Sequence, residues 1–379
     1  MPNIKNRMLI EWKKDTKENN NQSLSFEVIT AHDDDRPVYL AGNFNNWTTE
    51  DENYRLEKIE KGKYRFVFPN DISLPETLEY KYVKGGWHNV ETDIYGNIPP
   101  NRMTEKKSGY VSDKIFRFLK DGQAHLQKFL PKLILLTDGK DVTGMRRKRK
   151  VWALLPYNYD QTQKHYPVLY LHDAQNLFDD YAPFGNWAID RKLAILAEQG
   201  MSDLIVIAIE HAGKKRIADF SIMPGTTGTQ EGRKYVKMIA SKLKPYVDAK
   251  LRTLTDRQNT GIGGSSLGGL VSIYAGLTFP QVFSKLLIFS PSLWMNPHIH
   301  FEAMHFEKTY QTKIYMYAGE TESVNMVPNV LRFKETLQHQ GVAHNNIHFR
   351  INIDPKGKHN EAYWGDEFPK AIEWLFFTN

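Results

Sequence analysis

Between residues 24 and 90, apolar and polar side chains alternate in short runs. Leu24-Ser25-Phe26-Glu27-Val28-Ile29, Tyr54-Arg55-Leu56-Glu57-Lys58-Ile59 and Lys63-Tyr64-Arg65-Phe66-Val67-Phe68 have the period of two that predicts half-buried strands. Glu60-Lys61-Gly62 reads as the hairpin connection between the second and third. Leu78-Glu79-Tyr80-Lys81-Tyr82-Val83 predicts another strand, with Lys84-Gly85-Gly86 as its turn, and the set predicts a small β-sandwich. Past residue 150 the pattern changes. Val151-Trp152-Ala153-Leu154-Leu155, Pro167-Val168-Leu169-Tyr170-Leu171, Leu204-Ile205-Val206-Ile207-Ala208-Ile209 and Leu286-Leu287-Ile288-Phe289 are nearly continuous apolar runs. Such runs predict strands of a sheet covered on both faces. Helical stretches alternate with them at 187–197, 232–250, 330–339 and 361–377, the second carrying Tyr235, Val236, Ile239, Leu243 and Val247 on one stripe, and a strand is predicted at 348–353. The alternation predicts an α/β fold with a mainly parallel sheet. Ile98-Pro99-Pro100-Asn101 and the polar Thr104-Glu105-Lys106-Lys107-Ser108-Gly109 interrupt the pattern. The predicted organisation is a sandwich domain at 1–110, a linker at 111–125 and an α/β domain at 126–379.

Composition narrows the class only modestly. The 379 residues are 41% hydrophobic and 25% charged, ordinary for a soluble globular chain. No apolar run is long enough to span a membrane, and the first residues show no apolar core of a signal peptide. A cytoplasmic protein is therefore expected, or a periplasmic or secreted one if a leader has been trimmed. The absence of cysteine excludes disulfides, thiol catalysis and thiolate metal sites. The net charge of +6 is mild, and the densest basic run, Arg146-Arg147-Lys148-Arg149-Lys150, stands alone. Without a second basic cluster or an aromatic platform it reads as the solvated end of a strand, and no nucleic-acid partner is expected. His298-Ile299-His300 has no partner cluster, so no metal is expected.

The chemistry concentrates in Gly264-Ser265-Ser266-Leu267-Gly268, a G-x-S-x-G match with an apolar lead-in and an i, i+3, i+4 helical pattern after it. Strand, cramped turn, helix is the context of a nucleophile elbow. The turn pushes the Ser266 hydroxyl out of the sheet, the glycines let backbone pass close, and the amide of Leu267 faces the oxygen that becomes negative. A neutral hydroxyl needs a base to take its proton as it attacks a carbonyl. Nucleophile, acid, histidine is the chain order of α/β-hydrolases, and the downstream candidates are Glu322, with Glu320 as its rival, and His359.

The α/β half resembles the esterase group of α/β-hydrolases that includes enterochelin esterases and acetyl- and feruloyl-esterase-like enzymes. Five blocks carry the resemblance over 147–379: Tyr170-Leu171-His172-Asp173-Ala174-Gln175-Asn176-Leu177-Phe178, Gly264-Ser265-Ser266-Leu267-Gly268-Gly269, Ser290-Pro291-Ser292-Leu293-Trp294, Gly319-Glu320-Thr321-Glu322 and Gly357-Lys358-His359. It implies a Ser266-His359-Glu322 triad working through an acyl-enzyme without a cofactor. It also implies an oxyanion hole of the Leu267 and Gln175 amides, with Ala174 close behind Gln175. Trp187, Arg216 and Trp294 are candidate substrate contacts, Arg216 for a carboxylate or catecholate; packing or loop anchoring is the alternative for each. The segment Ala41-Gly42-Asn43-Phe44-Asn45-Asn46-Trp47, with Trp87, resembles the early-set sandwich modules of glycogen- and starch-binding proteins; core or interdomain packing is the alternative for Trp47 and Trp87. The expected substrate is thus a siderophore lactone or an acetyl or feruloyl ester of a carbohydrate. A catalytically idle hydrolase fold that binds carbohydrate or a protein is the alternative.

Overall fold

The computed structural model describes residues 23–140, 142, 148–222, 231–296, 299, 310–338 and 346–378. These residues form two compact units, one within 1–94 and 98–122, the other within 95–97 and 123–379.

In the first unit, strands β1 (Leu24–Thr30), β2 (Tyr39–Gly42), β3 (Glu57–Glu60), β4 (Lys63–Val67), β5 (Leu78–Val83), β6 (Glu91–Thr92), β7 (Arg102–Thr104), β8 (Gly109–Ile115) and β9 (Arg117–Phe118) make small sheets. One has the order β3-β4-β1-β8, another β2-β5-β7, and β6 pairs with β9. Phe26 and Tyr64 of the larger sheet and Leu40, Tyr80 and Tyr82 of the three-stranded one share a core, and the Phe26 and Tyr80 rings meet edge to face at 4.9 Å. This is the sandwich that the alternating pattern predicts.

Two expectations fail here. The predicted strand beginning at Tyr54 opens instead with a 3₁₀ turn, Glu52–Tyr54, and β3 is exposed along its length. The predicted linker at 111–125 is largely structured, because β8 pairs with β1 in parallel from Leu24 opposite Gly109 to Thr30 opposite Ile115. The division between the units falls at residue 122. Asp113 explains why the strand is hard to read. It points inward as a carboxylate, bonded by Arg102 Nη1 at 2.7 Å and by the hydroxyls of Tyr80 and Tyr82 at 2.9 and 2.7 Å. An inward charge breaks the apolar alternation, and only this ring of donors makes it tolerable.

The second unit is built on β10 (Lys132–Thr137), β11 (Val151–Leu155), β12 (Val168–His172), β13 (Ile205–Ile209), β14 (Thr260–Ser265), β15 (Lys285–Phe289), β16 (Thr312–Gly319) and β17 (Ile347–Asp354). They form one sheet in the order β10-β11-β13-β12-β14-β15-β16-β17. The β10–β11 and β11–β13 pairs are antiparallel and the rest are parallel. Helices α1 (Ile189–Glu198), α2 (Arg216–Phe220), α3 (Glu231–Met238), α4 (Lys244–Lys250), α5 (Leu267–Thr278), α6 (Met326–Leu337) and α7 (Glu361–Ile372) connect them, and a π-helical turn, Ile239–Leu243, joins α3 to α4. Strand residues alternate between two cores. Leu169, Leu171, Val206, Leu287 and Tyr317 pack with α1 and α7, while Val168, Tyr170, Ile207, Ile288 and Met316 pack with α3 to α6. Both faces are covered, which is why the strands read as continuous apolar runs. This is an α/β-hydrolase sheet.

Helix α5 departs from the amphipathic pattern expected of it. Leu267 through Gly276 are all buried. Because α2 and α3 pack across it, its outer side meets protein rather than water. The basic run before β11 is also not simply solvated. Arg149 is buried, its Nη2 donates to Asp219 Oδ2 at 2.9 Å, and its guanidinium lies over the Tyr235 ring at 4.9 Å. Arg146, Arg147, His298 and His300 fall outside the described residues. Among the described residues, no helix is long and apolar enough to cross a membrane.

Candidate active site

In a parallel sheet all strands end on the same edge, so the loops after β12, β14, β15, β16 and β17 gather together. Ser266 follows β14 directly and opens α5 with φ 57° and ψ −122°. Asp173, just after β12, has φ 61°, and Ser290, just after β15, has φ 44°. Three non-glycine residues in the left-handed region at the ends of three adjacent strands concentrate strain at one place, as functional sites do. The turn at Ser266 is crowded. A Cβ on Gly264 would lie 3.1 Å from the carbonyl carbon of Gly268 and 3.3 Å from His172 Cδ2. A side chain at Gly264 would need its neighbours to give by a few tenths of an ångström, so glycine suits the position.

The backbone pins the turn to its neighbours. The Ser266 amide donates to the Phe289 carbonyl at 2.9 Å, and the Ser292 amide donates to the Ser266 carbonyl at 3.0 Å. The hydroxyl of Ser266 lies 3.1 Å from that of Ser292. As the first residue of α5, Leu267 has an amide with no acceptor inside the helix. The loop after β12 abuts the same spot, since Asp173 Oδ2 would be 3.3 Å from a Cβ on Gly268. Asp173 leads into a 3₁₀ turn, Ala174–Asn176, in which the amides of Asn176 and Leu177 bond to the carbonyls of Asp173 and Ala174. The turn itself does not use the Gln175 amide. The Gln175 side chain anchors this loop to the one after β13: Nε2 donates to the His211 carbonyl and Oε1 accepts from the His211 amide, both at 3.0 Å.

The loops after β16 and β17 supply an acid and an imidazole. His359 Nδ1 donates to Glu322 Oε2 at 2.7 Å, with the Glu322 side chain almost fully buried and that of His359 38% exposed. Oε1 of Glu322 accepts from the Gly319 amide at 2.7 Å and from the Ser290 hydroxyl at 2.6 Å. The structure brings Glu322 to His359, while Glu320 is exposed and uses only its amide, on the Asp354 carbonyl. Gly319 lies so close to Gly357 that a Cβ would overlap the Gly357 carbonyl, which holds the acid loop against the histidine loop. With Nδ1 committed as a donor, Nε2 of His359 is the ring nitrogen left to accept a proton.

The three candidate substrate contacts have different fates. Trp187 is corrected: it is 3% exposed, stacked on Phe289 at 5.4 Å and packed against Trp364 and Phe368, so it belongs to the core. It precedes α1 because its amide bonds to the Asn176 carbonyl and Ala188 turns left-handed. Arg216 holds Asp173 bidentately at 2.7 and 2.7 Å, so its charge is already matched within the protein. Trp294 is 66% exposed, in a 3₁₀ turn just beyond Ser292.

Several residues at the site carry no motif of their own. Ser290 and Ser292 belong to a block of the resemblance, but the resemblance implies no role for either. Trp364 donates from Nε1 to Ser290 Oγ at 2.9 Å and meets the edge of the His359 ring at 4.9 Å. Glu361, buried at the start of α7, accepts from Asn176 Nδ2 at 3.0 Å, and burial raises its pKa. His172 is buried under the Ser266 turn with Nδ1 bonded to the Tyr235 hydroxyl at 2.9 Å. Burial pushes it down to about 4, so it is neutral near pH 7. Among the described residues, no group of three or more His, Asp or Glu side chains is arranged to hold a metal ion.

The strand order and this site define an α/β-hydrolase, and the comparisons with known proteins agree. Residues 143–375 match the family described as "Putative esterase". The chain belongs to that family and is an esterase that acts on small-molecule esters. It is 23% identical to "Uncharacterized protein YbbA" of Bacillus subtilis over 248 residues, 61% of this chain and 94% of that protein. A 66-residue stretch is 36% identical to the "Iron(III) salmochelin esterase" of Escherichia coli, 17% of this chain and 16% of that protein. Among solved structures, an "IroE-like serine hydrolase" from Shewanella oneidensis superposes with a TM-score of 0.51 at 22% identity, covering 65% of this chain and 80% of that one.

Proposed function

We propose that the protein hydrolyses carboxylic esters through an acyl-enzyme, with Ser266 as nucleophile, His359 as general base and acid, and Glu322 as the residue that orients and stabilises the imidazole. The observation that carries the reading is the 2.7 Å bond from His359 Nδ1 to a buried Glu322 carboxylate, on loops that share a sheet edge with a left-handed serine. In the first step the Ser266 oxygen attacks the ester carbonyl while His359 Nε2 takes its proton. The tetrahedral oxyanion is held by the amides of Leu267 and Gln175, and His359 then protonates the departing alcohol. Water repeats the sequence on the acyl-enzyme, activated by the same imidazole. No step calls for a cofactor.

For the substrate we favour an acetyl or feruloyl ester of a carbohydrate. Support comes from the first unit. Asn45 Oδ1 accepts from the Gly42 amide and Asn45 Nδ2 donates to the Leu40 carbonyl, a loop that sets Trp47 beside Trp87 with ring centroids 6.1 Å apart. Trp87 is 45% exposed. An exposed indole, backed by a half-buried one, can stack on a sugar face. The salmochelin esterase relationship supports a second reading, a siderophore lactone.

Two measurements separate these claims. With p-nitrophenyl acetate, Ser266→Ala and His359→Ala should each lose about a thousandfold or more in kcat, and by similar amounts, because the triad acts as a unit. Near-normal turnover in either variant would remove that residue from the mechanism. A screen of aryl-sugar acetates, feruloyl esters and a triscatecholate lactone then assigns the substrate. Preference for the lactone would overturn the carbohydrate reading while leaving the triad untouched.

A further inference from the structure

Ser290 is fully buried at the end of β15, with the left-handed φ of 44° that its position in the turn demands. Its amide donates to the Tyr317 carbonyl at 2.8 Å, which fixes the turn to β16. Its hydroxyl sits in the middle of a chain of donors. Trp364 Nε1 donates to Ser290 Oγ at 2.9 Å, and Ser290 Oγ donates to Glu322 Oε1 at 2.6 Å. The other carboxylate oxygen, Oε2, holds His359. The Trp364 ring closes the loop by meeting the His359 ring at 4.9 Å and 84°.

We infer that Ser290 is a positioning residue for the triad, which fixes the rotation of the Glu322 carboxylate so that Oε2 faces His359 Nδ1. The inference rests on the triad reading above. Its physical content is directional. The Trp364 N–H occupies a lone pair of the Ser290 oxygen, and the single Ser290 hydroxyl hydrogen is given to Glu322 Oε1. The Gly319 amide alone gives Oε1 one donor, about which the carboxylate can swing. Two donors from different strands fix both the position and the plane of the group. The same turn reaches the nucleophile through its third residue, Ser292, whose hydroxyl lies 3.1 Å from that of Ser266. Ser290 and Ser292 thus touch opposite ends of the triad from one short turn.

A purely structural role for Ser290 would predict a different result from a positioning role, and a double-mutant cycle with Glu322 separates the two. In the otherwise native full chain, Ser290→Ala should lower kcat/KM for p-nitrophenyl acetate about tenfold, mostly in kcat, since the lost interaction acts on the reacting geometry. In a Glu322→Ala background the same substitution should cost less than about twofold, because the carboxylate it positions is gone. Equal losses in both backgrounds, or no loss in the native one, would overturn the proposal. Ser290→Gly, which suits the positive φ, serves as the second variant if Ser290→Ala does not fold. The control for the underlying reading is Ser266→Ala. If that variant keeps its activity, the triad itself is wrong; if it is dead while the cycle is additive, only the role of Ser290 fails.

Discussion

Trp187 and Trp294 are two tryptophans near one site with opposite surroundings. Trp187 fills the space between β15 and α7, against Phe289, Trp364 and Phe368. Trp187→Ala should therefore cost about 3–5 kcal/mol of stability in a urea titration, the usual result of emptying a large aromatic site. Trp294 touches solvent over two thirds of its surface. Its replacement by Ala should move stability by no more than about 0.5 kcal/mol, while raising KM for an aromatic ester several-fold if the indole meets substrate. A Trp294→Ala variant with native KM would leave the residue without a role in binding. At this scale the sequence was legible where chemistry is local. The G-x-S-x-G turn and the Gly before His359 can each be read within a few residues, whereas the choice of Glu322 over Glu320 rests on the family resemblance. Trp187, Arg216 and Ser290 could not be read that way. Whether an indole is buried, or an arginine already matched to Asp173, depends on neighbours more than 40 positions away in the chain.

His172 shows what an element can impose. It is the last residue of β12, fully buried, and lies against the glycines of the Ser266 turn. Burial is the largest influence on it. Asp173 pulls its pKa up, while Arg216 and Arg149 push it down, and the outcome is a value of about 4. The unfolded chain takes up a proton at this residue below its ordinary value near 6.5. The folded protein refuses it until about pH 4. The unfolded state therefore binds more protons throughout that window, so stability falls as pH drops from about 6.5 to about 4, by about 3 kcal/mol in all. Denaturation midpoints measured across this range should show the slope, and His172→Gln should flatten it. An unchanged slope in the variant would place the acid sensitivity elsewhere. Elements buried on both faces, such as β12 and β15, were plain in the sequence because nothing polar interrupts them. Strand β8 was not, because Asp113 occupies an inward position that a hydrophobic pattern reserves for an apolar side chain.

For the molecule as a whole, the order of the sheet does the assembling. Parallel strands β12, β14, β15, β16 and β17 deliver an anchored loop, a strained serine, a positioning serine, a buried acid and an imidazole to one edge, although these residues span nearly 190 positions of sequence. That convergence follows from topology rather than from any local preference, and it is the reason the chain order of the motifs carries information. It also makes the central claim simple to test. The protein should be treated with a fluorophosphonate and its mass measured, followed by peptide mapping. The account predicts one covalent adduct, on the peptide that carries Ser266, and none in the Ser266→Ala variant. An unmodified native protein, or an adduct that survives in Ser266→Ala, would contradict it.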